Sequence, residues 1–161
     1  MHMQSIIFSP IGIIHSSHKT KAGTPIQPSR LVRSEGKVEI FPKFKPGLLD
    51  LEGFSKIWLI FHLHAMSNFK LEVKPYLDDQ TRGVFATRAP ARPNPIGLSL
   101  VDLLSIKDGI LEVNGLDILD GTPLLDIKPF IPDVDHTEGV KVGWLEGKTH
   151  HFKTHRADKR F

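Results

Sequence analysis

The chain has 161 residues, enough for one domain with a full core, and 40% of them are hydrophobic, which argues against disorder and against a membrane class. It contains no cysteine, so disulfides, thiolate metal sites and a cysteine nucleophile are excluded. The net charge of +3 conceals a segregation. Lys19, Lys21, Arg30, Arg33, Lys37, Lys43 and Lys45 meet only Glu35 and Glu39, and the last residues from Lys148 are again basic. Between Asp102 and Glu138 the balance inverts, with only Lys107 and Lys128 among the acids. Separate basic segments suit a polyanion, and solubility is the plainer alternative. No apolar run reaches spanning length, and the start, MHMQSIIFSPIG, lacks a basic region followed by a cleavable apolar stretch. A cytoplasmic protein with no membrane contact is expected.

In chain order, Gln4 to His15 predicts a strand pair or bent strand interrupted at Pro10-Ile11-Gly12. Ser16 to Arg33 has few apolar residues and reads as a long basic arm, about 16–35, of the kind that is functional or disordered. Lys37 to Phe41 predicts a short strand, and Pro46 to Leu51 one helical turn ended by Gly53. Ile57 to Leu63, IWLIFHL, has no polar face and predicts a strand buried on both sides. Leu71 to Leu77 and Gly83 to Ala86 predict two more strands. Leu98 to Ile106 and Gly109 to Val113 form a hairpin through Lys107-Asp108, with Gly109 supplying the positive φ. Leu124 to Ile127 predicts a last strand; Asp133 to Gly147 supports no assignment, and a basic tail runs over about 148–161. Short strands between turn signals, with almost no helix, predict an all-β, mainly antiparallel domain, residues 1–161, closed into a small barrel to remove its edges. No GxGxxG follows a strand, which disfavours a dinucleotide-type α/β fold.

Two stretches carry the chemistry. GVFATRAPARPNPIGLSL, Gly83 to Leu100, places Arg88 and Arg92 among Pro90, Pro93 and Pro95. Three prolines fix their own φ and bias their predecessors, so this loop suits a pre-organised ligand wall with planar guanidinium donors. LDILDGTPLLDIKPFIP, Leu116 to Pro132, sets Asp117, Asp120 and Asp126 around Gly121-Thr122-Pro123. An arginine loop facing an aspartate loop suits a small ligand bearing both charges; each loop alone is ordinary turn chemistry. Asp126 and Lys128 alternate with Ile127, so they share either a site face or a structural salt bridge. His62 and His64, two apart, fall on one strand face with Trp58 and Ile60. That spacing could seat a metal, with His150, His151 and His155 as further candidates, but no carboxylate lies nearby in sequence and no HExxH-type word is present, so no metal is expected.

ATRAPARPNPIGLSLV, Ala86 to Val101, and LDGTPLLDIKPFIP, Leu119 to Pro132, closely resemble the paired signatures of the TsaA-like (TrmO) proteins. Those are S-adenosylmethionine-dependent methyltransferases acting on the threonylcarbamoyl-adenosine beside the anticodon of tRNA. The resemblance implies one small β-barrel, a homodimer with the methyl donor near the subunit interface, and S-adenosylmethionine as cofactor. It implies donor contacts from Pro25, Ile26 and Gln27, from His64 and Ala65, from Arg88 and Leu98, and from Asp120, Gly121, Thr122 and Pro123. Asp117 and Asp120 suit the donor's ribose hydroxyls or α-amino group. Arg92, Asn94 and Lys128 are the candidates for binding tRNA. The accepting nitrogen must lose a proton, and Asp120, Asp126 and His64 are candidate bases in that order. The best-known methylating members carry a further C-terminal domain with no counterpart here, so a short form is expected. The alternative function is a non-catalytic S-adenosylmethionine-binding or regulatory module.

Overall fold

The computed structural model describes residues 5–20 and 34–153 of the chain. Among the described residues eight strands are formed in chain order: β1 Gly12–His15, β2 Glu35–Ile40, β3 Lys56–His62, β4 Glu72–Val73, β5 Arg82–Gly83, β6 Ile96–Lys107, β7 Ile110–Asn114 and β8 Thr122–Pro129. Six of them close into a barrel in the order β1-β2-β7-β6-β3-β8, with every seam antiparallel. The all-β barrel expected from the spacing of strands and turns is therefore the fold.

The alternation of β3 explains the closure. Ile57, Leu59 and Phe61 are buried inside, while Lys56, Trp58 and Ile60 are half-buried on the outer wall. The expectation of a strand buried on both sides is corrected. A barrel has one interior, and the outer wall is covered only in part. Ile14, Val38, Val101, Leu111, Val113 and Leu124 complete the interior from the other five strands. Each such side chain contributes about 1.5–3 kcal/mol on burial. At Gly97 the Phe61 ring lies against the backbone, and an added Cβ would overlap it unless the ring moved.

The β6–β7 hairpin turns at Asp108-Gly109, one residue later than expected, with φ 54° and 85°. Positive φ at both central residues makes a type I′ turn, whose twist matches the flanking strands. Lys45 Nζ covers it by donating to the Asp108 carbonyl at 2.6 Å.

Four other expectations are corrected. Residues 5–11 lie outside any strand, and Ile6, Ile7 and Phe8 stand 79%, 88% and 65% exposed. Pro10, which has no N–H to give, delays the ladder to Gly12. The strand expected over Leu71 to Leu77 is only Glu72–Val73, paired with Arg82–Gly83 and stopped at Pro75. After Gly83 the chain makes a 3-10 turn over Val84–Ala86 instead of continuing extended. The helical turn expected near Pro46 is two 3-10 turns, Pro42–Leu48 and Leu51–Gly53. The unassigned stretch after Ile131 holds one α-turn, α1 Pro132–Asp135, and a 3-10 turn at Gly143–Leu145. Among the described residues no helix is long and apolar enough to cross a membrane.

Candidate functional site

The proline loop is braced from within. Thr87 donates its backbone N–H and its hydroxyl to the Val84 carbonyl at 3.1 and 2.9 Å. Its Oγ1 accepts the Ala89 N–H at 3.2 Å. Arg92 Nη1 donates to the carbonyls of Val84, Thr87 and Ala89 at 3.1, 2.9 and 3.3 Å, and its guanidinium lies 5.9 Å from the Phe85 ring centre. Arg92, expected to face a substrate, thus points one of its nitrogens into its own loop. Asn94, also expected at the substrate, is exposed in the same loop, and Leu63 N–H holds the Pro95 carbonyl at 2.7 Å. Between the carbonyls gripped by Arg92, Arg88 is exposed.

Arg88 acts electrostatically on Asp117. Burial pushes the Asp117 carboxyl up from 3.8 to about 6, against the opposing effects of the Ser99 hydrogen bond, its own backbone N–H and the Arg88 charge. Ser99 Oγ donates to Asp117 Oδ1 at 2.6 Å. Ser99 is 1% exposed and sits opposite Leu59, on the inner face of β6. It was missed in the sequence, yet it left a signal: a hydroxyl at an inward position that the alternation of β6 reserves for apolar residues.

The raised pKa has a consequence for stability. Below about pH 4 the carboxyl is protonated folded or unfolded and contributes no difference. As pH rises toward 6 the unfolded chain ionises first, so folding loses stability over that window, up to about 2–3 kcal/mol above it. Asp117→Asn keeps an acceptor for Ser99 and removes the charge. It is expected to be more stable than the parent by about that amount at pH 7.5 and equal to it below about pH 4. Urea melts at both pH values check this, and a gap of the same size at both would refute it.

At the same end of the barrel, Thr122 begins β8 and is 2% exposed. Its hydroxyl donates to the Leu119 carbonyl at 2.7 Å, and its Oγ1 lies 3.3 Å from His64 Nδ1. A hydroxyl has one proton. With it on Leu119, Oγ1 accepts from His64, so neutral His64 carries its proton on Nδ1 and presents the Nε2 lone pair. His64 itself stands in the turn after β3, with Ala65 exposed beside it. The expectation that His62 and His64 share a strand face is corrected, because β3 ends at His62. Among the described residues no group of three or more histidine or acidic side chains is placed to hold a metal ion.

Asp120 is engaged elsewhere. Its Oδ1 accepts the Ser16 N–H at 2.9 Å and its Oδ2 meets Lys19 Nζ at 2.6 Å. The Lys19 hydrogen bond, then that of Ser16, hold its carboxyl below the ordinary value. Its backbone N–H donates to the His18 carbonyl, and Gly121, at φ 75°, donates to Ile14. His18 Nε2 lies 3.0 Å from Ser34 Oγ and 3.2 Å from the Leu116 carbonyl. The two ends of the basic arm are thereby fastened to one another beside the 120–123 turn, in which Pro123 pairs with Ile13. Pro25, Ile26 and Gln27 of that arm lie outside the described residues.

Asp126 and Lys128 form an ion pair at 3.1 Å on the outer wall. Asp126 stands opposite Ile60 on one side of β3, and Leu98 stands opposite Ile60 on the other. Leu98, Ile60 and Asp126 therefore make one row across three strands. Leu98 and Ile96 are 45% and 42% exposed there.

A closed single-sheet barrel with a cation, a desolvated carboxyl and an oriented imidazole at one end is the frame of a small-ligand-binding domain. Residues 13–136 match the tRNA-methyltransferase O N-terminal domain family, and the chain belongs to that family. It is 53% identical over 156 residues to a probable S-adenosyl-L-methionine-binding protein of Pyrococcus abyssi, covering 97% of this chain and 85% of that protein. It is 39% identical to the tRNA (adenine(37)-N6)-methyltransferase of Mus musculus, covering 86% of this chain but 34% of the mouse enzyme. The crystal structure of TrmO from Pseudomonas aeruginosa superposes with a TM-score of 0.74 at 38% identity, over 88% of this chain and 63% of that one. The chain thus spans most of the archaeal relative and about a third of the mammalian one.

Proposed function

We propose that this chain is an S-adenosylmethionine-dependent methyltransferase acting on tRNA, and that its acceptor is the exocyclic nitrogen of threonylcarbamoyl-adenosine beside the anticodon. The observation that carries the reading is the meeting, at one barrel end, of Arg88, Asp117 and the Thr122-oriented His64. The residues suit the donor: an arginine fits its carboxylate, and a desolvated carboxyl near it fits its ammonium or ribose hydroxyls. Bound S-adenosylmethionine supplies a methyl made electrophilic by its sulfonium. Arg88, Leu98 and the Gly121-Thr122-Pro123 turn hold it and aim that methyl at the acceptor. The acceptor nitrogen is ureido-like, with its lone pair delocalised, and must lose its proton as the N–CH3 bond forms and the S–CH3 bond breaks. His64 Nε2 receives that proton. Asp120 answers Lys19 and Asp126 answers Lys128, whereas His64 is held through Nδ1 by Thr122, which leaves Nε2 as its acceptor. Lys128 and the basic arm and tail hold the tRNA phosphates, so binding weakens as salt rises. Exposed Ile6, Ile7, Phe8, Ile96 and Leu98 support a homodimer that covers the outer wall beside the donor.

The test is methyl transfer from labelled donor to tRNA with and without the threonylcarbamoyl group. Label on the modified tRNA alone supports the reading. Donor binding with no transfer to either tRNA would establish the non-catalytic binding module instead.

A further inference from the structure

The segment that follows the matched family region is docked onto the proline loop at its entrance. Trp144 Nε1 donates to the Ala86 carbonyl at 2.7 Å, just before Thr87 and Arg88. Below it Asp78, whose side chain is only 7% exposed, receives three side-chain donors besides the backbone N–H groups of Asp79 and Gln80. Arg82 Nε and Nη2 reach its Oδ2 at 2.9 and 2.7 Å, and Lys148 Nζ reaches its Oδ1 at 3.2 Å. Hydrogen bonding from Arg82, opposed by burial and aided by Lys148, holds this carboxyl well below the usual range, so it stays an anion. The Trp144 ring carries both cations, Arg82 at 5.6 Å and Lys148 at 5.8 Å from its centre. Indole, guanidinium, carboxylate and ammonium thus form one unit, and Arg82 belongs to β5, which runs straight into the loop. From the far side, Arg92 grips the carbonyls of Thr87 and Ala89 that flank Arg88.

We propose that the segment from Gly143 to Lys148 is a strut that sets the placement of Arg88 for the donor, with Trp144 and Asp78 as positioning residues. The proposal rests on the reading that Arg88 contacts the donor. A plain surface contact would contribute to stability and leave ligand binding alone. A strut does the reverse: the loop is already braced by Arg92, so loss of the Trp144 bond shifts where the loop sits more than whether the barrel folds. Lys148 carries the same logic one step back, because Asp78 joins it to Arg82 and hence to the start of the loop.

Equilibrium dialysis with labelled S-adenosylmethionine tests this on the full chain. Trp144→Phe, which keeps the ring and removes the donor, is expected to weaken donor binding about threefold to tenfold, the size of one lost hydrogen bond. Lys148→Met should fall in the same range, and Lys148→Arg should restore binding. Turnover at saturating donor should stay within about twofold, since ground-state placement and not proton transfer is affected. In an Arg88→Ala background the Trp144→Phe effect should vanish, because its path runs through Arg88. Unchanged affinity in Trp144→Phe, or an equal loss in the Arg88→Ala background, overturns the strut. If Trp144→Phe fails to fold, equal binding by Lys148→Met and Lys148→Arg overturns it. Absence of donor binding in the parent protein overturns the donor reading itself, and the strut with it.

Discussion

His64→Gln lowers turnover by about two to four orders of magnitude, the range for loss of a general base, while donor affinity falls less than about tenfold. The expectation follows from the proton count at Thr122. Its single hydroxyl proton is on the Leu119 carbonyl, so His64 keeps its own proton on Nδ1 and leaves Nε2 as the acceptor. Glutamine retains a polar side chain but no basic nitrogen. Thr122→Val serves as the companion variant: it removes the acceptor that fixes the tautomer and should cost about tenfold, with Thr122→Ser restoring activity. Single-turnover kinetics with saturating donor separates the two effects. Equal losses in turnover and donor binding for His64→Gln would make His64 a donor contact only.

Arg88→Ala is expected to weaken S-adenosylmethionine binding about ten- to a hundredfold, the magnitude of a charge-assisted hydrogen bond in a partly desolvated site. A second reporter accompanies it. The Arg88 charge is one of the influences that pull the Asp117 carboxyl down toward its value of about 6, so its removal lets burial push that carboxyl higher still. Arg88→Lys keeps the charge and should leave the Asp117 titration near the parent's, but it loses the planar fork and binds donor more weakly than arginine does. Calorimetry reads the affinity and carboxyl NMR reads the titration. Parent-like donor affinity in Arg88→Ala would remove Arg88 from the donor site.

What the sequence discloses and what it hides divide along the range of the interaction. The β6–β7 hairpin, β2 and β8 were legible because alternation and turn chemistry are local. The apolar run of β3 was legible as a strand but not as a one-sided strand. Whether Trp58 and Ile60 face a second layer depends on what packs outside, and among the described residues nothing fully covers them. The two-loop constellation was legible as charge on stiff turns. The partner of each charge was not, since Lys19 finds Asp120 across nearly the whole length of the sequence and Arg92 folds back on its own loop. Ser99 was overlooked because serine is common, and only its inward register makes it significant. The stretch around Trp144 has no periodicity at all. It is held by single contacts to Ala86 and Asp78, which no pattern announces.

The order of strands around the barrel also sets the order in which it can form. Only the β6–β7 seam joins neighbours linked by a tight turn; the seam of β1 with β8 brings Gly12 opposite Leu124, and β3 waits for partners far along the chain on both sides. A chain so dominated by distant pairings belongs to the milliseconds-to-seconds class of folders, with the hairpin at Asp108-Gly109 as its earliest local structure. The end of β3, the start of β6 and the start of β8 meet only once those late seams close. The ligand end is therefore incomplete until those seams have closed. A molecule that binds there recognises the finished ring alone, and its binding energy adds directly to the free energy needed to open it.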